Sequence, residues 1–422
     1  MSLSLVEVKP KRLADYAPVV GQEVIEELHR LAEPLRDARV LQINATGFGG
    51  GVAEILHTQI PLMQDLGLAV EWRVIAGADE FFNVTKSMHN GLQGMALPFT
   101  DEMKHIWRRY NEQNARNLDG EYDFVVVHDP QPAGLLRCHG RTTMNHWAWR
   151  CHIDTSTPNP EYWDFLAPYL EPYDAHIFTM QQYVGPGLHS PHLAIVAPTI
   201  DPLSPKNAPM NLDEAQASVT RYGVDTTRPL LVQVSRFDPW KDPLGVIDAY
   251  RIVKEEIPGV QLALPGSMAS DDPEGWVLYD RVLRHAGEDS DVIVVHNFHG
   301  VGDREINAFQ TAADIVIQKS TREGFGLTVA EGLWKGRPVI GGNVGGIPLQ
   351  VLDGENGYLV DSVEACAARC VELLRDPARR EAMGQLGREH VQRNFLITRL
   401  LRNEMELFSA CGRVTAHPCE GS

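Results

Sequence analysis

Apolar and polar positions follow two recurrent patterns along this chain. Short runs rich in Val, Ile and Leu predict buried strands, and stretches with an apolar residue every three or four positions predict helices. In the first half, the pattern predicts a helix over 52–67 and strands over 39–46, 70–77, 122–131, 149–156, 174–180 and 193–202. In the second half it predicts strands over 229–237, 260–266, 291–298, 314–320 and 338–342, and helices over 245–257, 276–288, 304–313, 326–336 and 363–376.

Near-continuous apolar strands that alternate with helices indicate parallel sheets covered on both faces. The stretch 201–228 is richer in Pro and Asn and lacks a strong period, which suggests a domain boundary. We therefore predict an α/β fold with two facing, doubly wound, Rossmann-like domains at 1–205 and 206–395. A C-terminal helix and tail over 396–422 follow, and we allow this segment to cross back to the N-terminal domain.

Composition limits the classes of partner. The chain has 422 residues, and its net charge of −18 disfavours nucleic acid and anionic membranes as partners. Six scattered cysteines without a paired CxxC spacing indicate free thiols and a reducing compartment. The sequence shows no secretory h-region and no long apolar run, so we expect a cytoplasmic protein. We also expect no essential metal and no required cofactor, because no metal-ligand spacing such as HExxH occurs.

A glycine-rich segment, GFGGGVAE, follows the first predicted strand of the first half. In open parallel sheets, ligands bind beyond the carboxyl ends of the strands. Gly49, Gly50 and Gly51 would let the backbone approach a ligand closely, and the following helix start offers free N–H groups. The alternative is a tight strand-to-helix turn without a ligand. Val52 argues against the dinucleotide fingerprint and hence against a nicotinamide dehydrogenase.

Two basic residues lie in SRFDPWKD, after the first predicted strand of the second half. Arg236 and Lys241 could reach one diphosphate, the arginine as a planar fork and the lysine as a point charge. The alternative is a pair of solvated surface cations. Their position at the carboxyl end of a strand favours the diphosphate.

The segment EGFGLTVAE places two acids around a predicted helix start. The N–H groups of Gly326, Leu327 and Thr328 would point at an anion. Glu323 and Glu331 are pure acceptors, and each can take two hydroxyl donors. A ligand with phosphate in its middle and hydroxyls at both ends fits this turn. The alternative is that Glu331 is a solvated helix residue and Glu323 a partner of the helix dipole.

The strand predicted over 149–156 carries polar residues at every second position. A period of two would place Arg150, His152 and Asp154 on one face of that strand. A histidine in a strand is, however, more often a hydrogen-bonded core residue than a catalytic group.

Two further groups of polar residues follow apolar runs in the first half. His128 and Asp129 lie beyond the buried strand that begins at 122. Asn83, Thr85 and Lys86 occupy a loop-like setting in FFNVTK, which suits a sugar.

Seven segments, taken in order, resemble one enzyme family. The two domains, the glycine-rich loop, the Arg–Lys pair and the E-x7-E spacing resemble the retaining glycosyltransferases of GT-B type. More narrowly, the chain is similar to the trehalose glycosyltransferring synthases, which join glucose from a nucleoside-diphosphate glucose to free glucose. Trehalose phosphorylases of the same fold share several of the segments and remain the alternative. The segments are FGGGVAEILH, EFFNVTK, VHDPQPA, WRCHID, QVSRFDPWKD, DDPEGW and REGFGLTVAEG.

The resemblance implies a role for each donor-side residue. Arg236 and Lys241 would bind the donor diphosphate and stabilise the leaving group, and Glu323 would contact the glucose hydroxyls. Glu331 would bind the ribose diol. His152 would lie with its backbone carbonyl beside the anomeric carbon. Backbone groups would seat the phosphate at Gly49, Gly50, Gly51, Gly326, Leu327 and Thr328.

On the acceptor side, the resemblance implies glucose contacts from Asn83, Thr85, Lys86 and Asp129. The expected substrates are ADP-, UDP- or GDP-glucose together with glucose or trehalose. A homodimer remains open. The residues are also compatible with another retaining GT-B hexosyltransferase, with a nucleotide-sugar epimerase or with a purely binding protein.

Overall fold

The computed structural model describes residues 3–141, 144–268 and 273–412. The chain divides into two compact units, the first formed by residues 1–199 with 397–422 and the second by 200–396. The sequence prediction placed its boundaries at 205/206 and 395/396. The predicted tail beyond residue 412, Cys419 and the first two residues of DDPEGW lie outside the described residues.

The first unit contains segments from both ends of the chain. Its strands, over the described residues, are β1 (Ser4–Leu5), β2 (Arg39–Asn44), β3 (Ala69–Val74), β4 (Tyr122–His128), β5 (Met144–Cys151), β6 (Ala175–Phe178) and β7 (His192–Ile195). Its α-helices are α1 (Ala17–Val20), α2 (Gln22–Ala32), α3 (Gly51–Asp65), α4 (Asp79–Leu92), α5 (Asp101–Arg116), α6 (Leu135–His139), α7 (Pro160–Leu170) and the C-terminal α16 (Ile397–Cys411).

The strands of the first unit pair in the order β1-β3-β2-β4-β5-β6-β7. All neighbours are parallel except β1 and β3. The chain places β3 on one side of β2 and β4 on the other side. The gap between the carboxyl ends of β2 and β4 is therefore a topological switch point. Ligands bind at such points in open α/β sheets, and this one lies beside the glycine-rich segment and His128.

Helices cover both faces of this sheet. On one face Val125 and Val127 pack in an apolar cluster with Trp107 and Trp149. On the other face Phe124 stacks on Phe408 of α16, with ring centroids 4.5 Å apart. The last helix of the chain is therefore part of the core of the first unit.

The second unit repeats this architecture. Over the described residues its strands are β8 (Leu230–Val232), β9 (Ser235–Arg236), β10 (Gln261–Ser267), β11 (Val292–His296), β12 (Ile315–Gln318), β13 (Val339–Gly342) and β14 (Gly357–Val360). Its helices are α8 (Leu212–Thr220), α9 (Pro243–Glu256), α10 (Pro273–Ala286), α11 (Asp303–Ala312), α12 (Leu327–Trp334), α13 (Ile347–Gln350), α14 (Val363–Arg375) and α15 (Pro377–Asn394).

The second sheet is parallel, with the order β11-β10-β8-β12-β13-β14 and β9 beside β10. Its switch point lies between β8 and β12, which pair at Leu231–Ile315 and Val232–Val316. The two predicted donor-side segments follow these two strands. The prediction of two doubly wound, Rossmann-like domains is confirmed.

The predicted loop around FFNVTK is wrong, because these residues form the first part of α4. Asn and Thr have low helix propensity, but tertiary packing outweighs it here. The helix buries a continuous stripe with spacings of three and four residues. That stripe consists of Phe81, Val84, Thr85, Met88 and Leu92.

The strand predicted over 149–156 ends earlier, at Cys151. His152 and Asp154 therefore lie in the segment after β5, and the predicted alternation of faces does not extend to them. His128 is the last residue of β4 and not, as predicted, the first residue beyond it.

Several expectations from composition can be compared with the structure over the described residues. Cys366 and Cys370 are buried free thiols, as predicted. Within 3–141, 144–268 and 273–412, no cluster of three or more His, Cys, Asp or Glu side chains is arranged to hold a metal ion. In the same ranges no helix has the length and apolarity that a membrane crossing requires.

Candidate active site

Two aspartate side chains stabilise the turn after β9 by accepting hydrogen bonds from backbone N–H groups. Asp238 accepts a hydrogen bond from the Trp240 N–H (2.9 Å) and begins a short 3-10 turn over Pro239–Lys241. Asp242 then adopts a left-handed conformation, with φ 48°, and accepts from the Gly245 N–H (3.1 Å) at the start of α9. This reversal of the backbone fixes the direction of Lys241.

The turn after β12 is bound to that first turn. The Thr321 N–H donates to the Trp240 carbonyl (2.8 Å). Lys241 Nζ lies 2.5 Å from Glu323 Oε2, and Lys319 pairs with Asp242 in the opposite direction. The two switch-point turns of the second sheet are thus joined by two crossed ion pairs, and the predicted Lys241 and Glu323 lie together.

Arg236 is the exposed member of this group. Its side chain is 68% exposed, and its guanidinium lies 3.5 Å from Asp238 Oδ2. Such an arginine can rotate towards an anion at low cost because the exposed ion pair that it leaves is weak. Ser320 Oγ completes the group and donates to Glu323 Oε2 (3.2 Å).

Helix α12 begins directly at this turn. Gly326 is its N-cap residue in a left-handed conformation (φ 83°), and a Cβ atom there would lie 3.1 Å from Glu323 Cγ. Glycine relieves both constraints, and it carries no side chain to cap the N–H groups of Leu327 and Thr328. The helix start can therefore donate to an anion, as the sequence predicts.

Glu331 lies one turn further along α12 and is 1% exposed. Its Oε1 is 3.7 Å from Lys206 Nζ. Its Oε2 accepts no hydrogen bond from any residue in the described part of the chain. The alternative of a solvated helix residue is therefore wrong. A buried carboxylate oxygen with unused acceptor capacity is a candidate ligand contact.

In the first unit, the glycine-rich loop is held at its base. Thr46 Oγ1 donates to the Phe48 carbonyl (2.8 Å), and His57 Nε2 lies 3.0 Å from the Gly47 carbonyl. Gly49 and Gly50 have φ of 73° and 80°, which favour glycine. Helix α3 begins at Gly51, after a cap residue without a side chain, so its first N–H groups are available to a ligand.

His128 and His152 form a pair at the end of β4. Their rings are 2.9 Å apart between Nδ1 of His128 and Nε2 of His152. Nε2 of His128 lies 2.7 Å from Gln42 Oε1. Burial, and secondly the positive charge of Arg150, lower the pKa of both histidines well below the usual range. Both rings are therefore neutral near pH 7.

Asp129 fixes the backbone around this pair. It has φ 65°, and its Oδ1 accepts from the His152 N–H (2.8 Å). Its carbonyl accepts from Trp149 Nε1 (2.9 Å), and its own N–H donates to the Arg150 carbonyl (2.8 Å). Burial raises the pKa of Asp129 to about 7, against hydrogen bonding and the charge of Arg150.

A buried ion pair lies beneath the histidines. Arg150 Nη1 is 3.0 Å from Glu404 Oε1 of α16, and both side chains are almost fully buried. Gln59 of α3 donates to the other oxygen of Glu404. Burial lowers the pKa of Arg150 and raises that of Glu404, and each partner opposes the shift of the other.

Sequence reasoning named Arg150 but missed Glu404 and Gln42. Gln42 had a signal, because it is a polar residue within an apolar strand. Glu404 had none, because its partner is 254 positions away in the sequence.

The predicted acceptor residues of α4 do not lie together on one face. Asn83 and Lys86 are exposed, whereas Thr85 is buried. The Thr85 hydroxyl donates to the Phe82 carbonyl (3.1 Å) within the same helix. Thr85 therefore contributes to the packing of α4 in this structure, and its predicted glucose contact has no geometric support here.

Comparison with known proteins fits this geometry. Residues 42–185 match the model for the trehalose synthase N-terminal domain, and residues 216–390 match that for glycosyl transferases group 1. A trehalose synthase from Rubrobacter xylanophilus is 54% identical over 94% of this chain and 97% of its own length. The chain belongs to the trehalose synthase family. It is accordingly a glycosyltransferase, as the sequence predicts.

More distant proteins share the fold or part of the sequence with this trehalose synthase family member. A UDP-forming α,α-trehalose-phosphate synthase from Burkholderia xenovorans superposes with a TM-score of 0.69 at 14% identity, covering 88% of this chain and 100% of its own. That likeness establishes the GT-B fold. A trehalose phosphorylase from Pleurotus pulmonarius is 28% identical over 90% of this chain but only 58% of its own length.

Proposed function

We propose that the protein is a retaining glucosyltransferase that forms α,α-trehalose, reversibly, from a nucleoside-diphosphate glucose and free D-glucose. Membership of the trehalose synthase family supports trehalose as the product. The observation that carries the choice of donor is the buried Glu331, whose Oε2 accepts no hydrogen bond within the described residues. A ribose diol offers two hydroxyl donors to such a carboxylate, whereas glucose 1-phosphate offers nothing at that end.

The proposed donor site uses the two turns of the second sheet. The N–H groups of Leu327 and Thr328 and the cations Arg236 and Lys241 bind the diphosphate. These cations and the helix N–H groups stabilise the negative charge that grows on the leaving diphosphate. Glu323 accepts hydrogen bonds from the glucosyl hydroxyls.

The proposed reaction proceeds on one face of the sugar. The bond from the anomeric carbon to the phosphate oxygen breaks, and a bond to the acceptor hydroxyl oxygen forms on the same face. The acceptor proton moves to the departing phosphate oxygen, so no enzymic nucleophile is required. The His152 carbonyl faces the positive charge that develops on the anomeric carbon in this scheme. A double displacement would require two carboxylates about 5–5.5 Å apart, and Glu323 and Glu331 are assigned to the two ends of the donor instead.

In the first unit, we assign Gly49, Gly50 and Gly51 to donor phosphate and sugar contacts. Asn83, Lys86 and Asp129 are assigned to the glucose acceptor. Thr85 would have to become exposed before it could contact a sugar, so we assign it to the packing of α4. These assignments require no metal ion and no cofactor.

A donor panel tests the proposal. Purified protein is incubated with glucose and ADP-, UDP- or GDP-glucose, and the product is identified by the NMR signals of its anomeric protons. We expect α,α-trehalose and the nucleoside diphosphate in equal amounts, with both products absent when glucose is omitted. Consumption of the nucleotide sugar without glucose would instead indicate an epimerase or a hydrolase.

The reverse reaction separates the two trehalose enzymes. Trehalose is supplied with ADP and UDP in one series and with inorganic phosphate in another. Glucose 1-phosphate formed only from the phosphate series would overturn the synthase proposal in favour of a phosphorylase. The Glu331→Gln variant adds a second criterion. It should raise the KM for the nucleotide sugar by about 10- to 100-fold if Glu331 binds the ribose, since a charged acceptor contributes roughly 1.5–3 kcal/mol.

A further inference from the structure

Three polar side chains from three neighbouring segments of the first unit form a line. Gln42 lies in β2, His128 ends β4, and His152 follows β5. The contacts are 2.7 Å from Gln42 Oε1 to His128 Nε2 and 2.9 Å from His128 Nδ1 to His152 Nε2. Gln42 and His128 are almost fully buried, and His152 retains some exposure. The line therefore runs from the core to the partly exposed His152.

The chemistry of the first contact determines the protons in the rest of the line. An amide oxygen only accepts, so Nε2 of His128 must carry a proton. A neutral His128 then has a bare Nδ1, which can only accept. Nε2 of His152 must therefore donate to it, and Nδ1 of a neutral His152 is left as a bare acceptor.

The orientation of the Gln42 amide is set from its other side. Burial raises the pKa of the Glu404 carboxylate, and Arg150, Gln59 and the neighbouring Gln42 amide oppose that rise, although Gln42 Nε2 forms no hydrogen bond with the described residues. The amide NH2 thus lies on the side of the acid, and the oxygen lies on the side of His128. Arg150, Asp129 and Glu404 are the charged or titratable groups that act on this region. The positive charge of Arg150 opposes protonation of either ring.

We propose that Gln42 and His128 are positioning residues that hold His152 as the neutral Nε2–H tautomer, with its Nδ1 presented as an acceptor for a substrate hydroxyl. This inference rests on the proposed function only for the identity of that hydroxyl, which belongs to the glucosyl unit. A ring with a bare Nδ1 can accept from a sugar OH, whereas the other tautomer would meet the same hydroxyl with an N–H. Because a hydroxyl can also accept, the pair of Gln42 and His128 determines whether the ring accepts from the sugar or donates to it.

The test changes Gln42, because a charged acceptor at this position should reverse the direction of the hydrogen bond between the two histidines. Replacing the amide by a carboxylate, Gln42→Glu, provides an anion beside His128 and favours its imidazolium form. The imidazolium donates from Nδ1, so Nε2 of His152 becomes the acceptor and its proton moves to Nδ1. Histidine-selective 15N labelling and long-range 1H–15N correlation spectra of the full chain report both tautomers directly. His176, which is buried elsewhere in the sheet and whose pKa is lowered to about 4, serves as an internal reference.

The matched control is Gln59→Glu. This change adds the same charge beside the same Glu404, but the side-chain hydrogen bonds of the two histidines within the described residues do not involve Gln59. We expect the Nε2–H tautomer of His152 in the wild type and in Gln59→Glu, and the Nδ1–H tautomer in Gln42→Glu. We also expect Gln42→Glu to lower kcat by about 10- to 100-fold, the range found for groups that orient a histidine ligand of a metal ion.

The wild-type spectrum alone can overturn the inference. A His152 ring that is protonated at Nδ1 near pH 7 contradicts it, even if no variant folds. An unchanged His152 tautomer in a folded Gln42→Glu protein contradicts it as well. Because these signals do not depend on turnover, they remain decisive if the donor panel refutes the proposed reaction.

Discussion

Lys241 and Glu323 form an ion pair with 2.5 Å between Nζ and Oε2, although the proposed donor needs them for different groups. Diphosphate binding would therefore exchange one anion for another on Lys241. In Glu323→Gln the lysine is released, so ADP or UDP should bind about two- to fivefold tighter, within the range measured for partly exposed ion pairs. Turnover of the nucleotide sugar should fall at least tenfold, because the glucosyl hydroxyls lose their charged acceptor. Calorimetric titration and initial rates measure both effects.

Glu256→Gln is the control for that variant, because Glu256 forms an exposed ion pair with Arg375 in the same unit. It should leave both quantities unchanged. Weaker nucleoside diphosphate binding by Glu323→Gln would mean that Glu323 assists Lys241 and does not compete for it.

Arg236→Ala and Lys241→Ala should each remove roughly 3 kcal/mol of transition-state stabilisation, a loss in kcat/KM on the order of 100-fold. The reason is that, in the proposed reaction, each cation would face the charge that develops on the leaving diphosphate. Steady-state kinetics with the best donor measure the loss. Arg251→Ala, on the exposed face of α9, removes a cation from the same unit without this role. Turnover within twofold of the wild type would refute the assignment of the residue concerned.

We expect Lys319 and Asp242, which form an ion pair, to act through Lys241 rather than on the substrate. Lys319→Met leaves Asp242 without its cation and loosens the turn, so the KM for the donor should rise about five- to tenfold. Asp242→Asn preserves the N-cap and tolerates the left-handed backbone. The double variant should lose less than the sum of the single losses, with a coupling of roughly 1 kcal/mol measured by a double-mutant cycle. Strictly additive losses would show that the pair does not hold the turn.

Asp129 should make the folded state less stable as pH rises. Its pKa in the folded protein is about 7, above its usual 3.8, so between these values the folded chain binds a proton that the unfolded chain has lost. The free energy of unfolding should therefore fall from about pH 4 to pH 7. Asp129→Asn removes this slope, keeps the left-handed backbone and should be more stable by about 1 kcal/mol at pH 8.

Urea denaturation between pH 5 and 8 measures this difference. Asp154→Asn is the control, because Asp154 lies in the same segment and, among the described residues, its hydrogen bonds come from Ser156. Parallel stability curves for wild type and Asp129→Asn would show that Asp129 is ionised throughout.

Removing one partner of the Arg150–Glu404 pair should destabilise the folded protein more than removing both partners. Glu404→Gln leaves a buried guanidinium without a compensating charge, which costs about 3–5 kcal/mol. Replacing both residues, as in Arg150→Met with Glu404→Leu, should cost less than Glu404→Gln alone. Urea denaturation of the full chain checks the order of the three proteins. A double variant that is the least stable of them would contradict the argument.

The sequence predicted the strands well because their apolar runs are buried on both faces of a sheet. It also predicted the donor-side turns, since Lys241 and Glu323 follow such runs closely. It failed at α4, where Asn83 and Thr85 suggest a loop locally. A stripe of buried residues one turn apart, from Phe81 to Leu92, decides for a helix.

The contacts that position the predicted residues could not be predicted from the sequence. Nothing in the spacing of Lys319 and Asp242 indicates that they pair, because three strands and three α-helices separate them in the described chain. The same holds for Glu404, whose burial against Arg150 depends on the return of the last helix to the first unit. Long-range pairing is set by topology, which local patterns do not encode.

That return also orders the folding of the chain during its synthesis. Residues 200–396 form one continuous unit and can complete their contacts as soon as they leave the ribosome. Arg150, in contrast, must wait for 254 more residues before its carboxylate is made. At about 5–20 residues per second, this interval lasts roughly 10–50 s. The unit that is translated first is therefore the one that is finished last, and a nascent chain would expose an incomplete face to chaperones throughout that time.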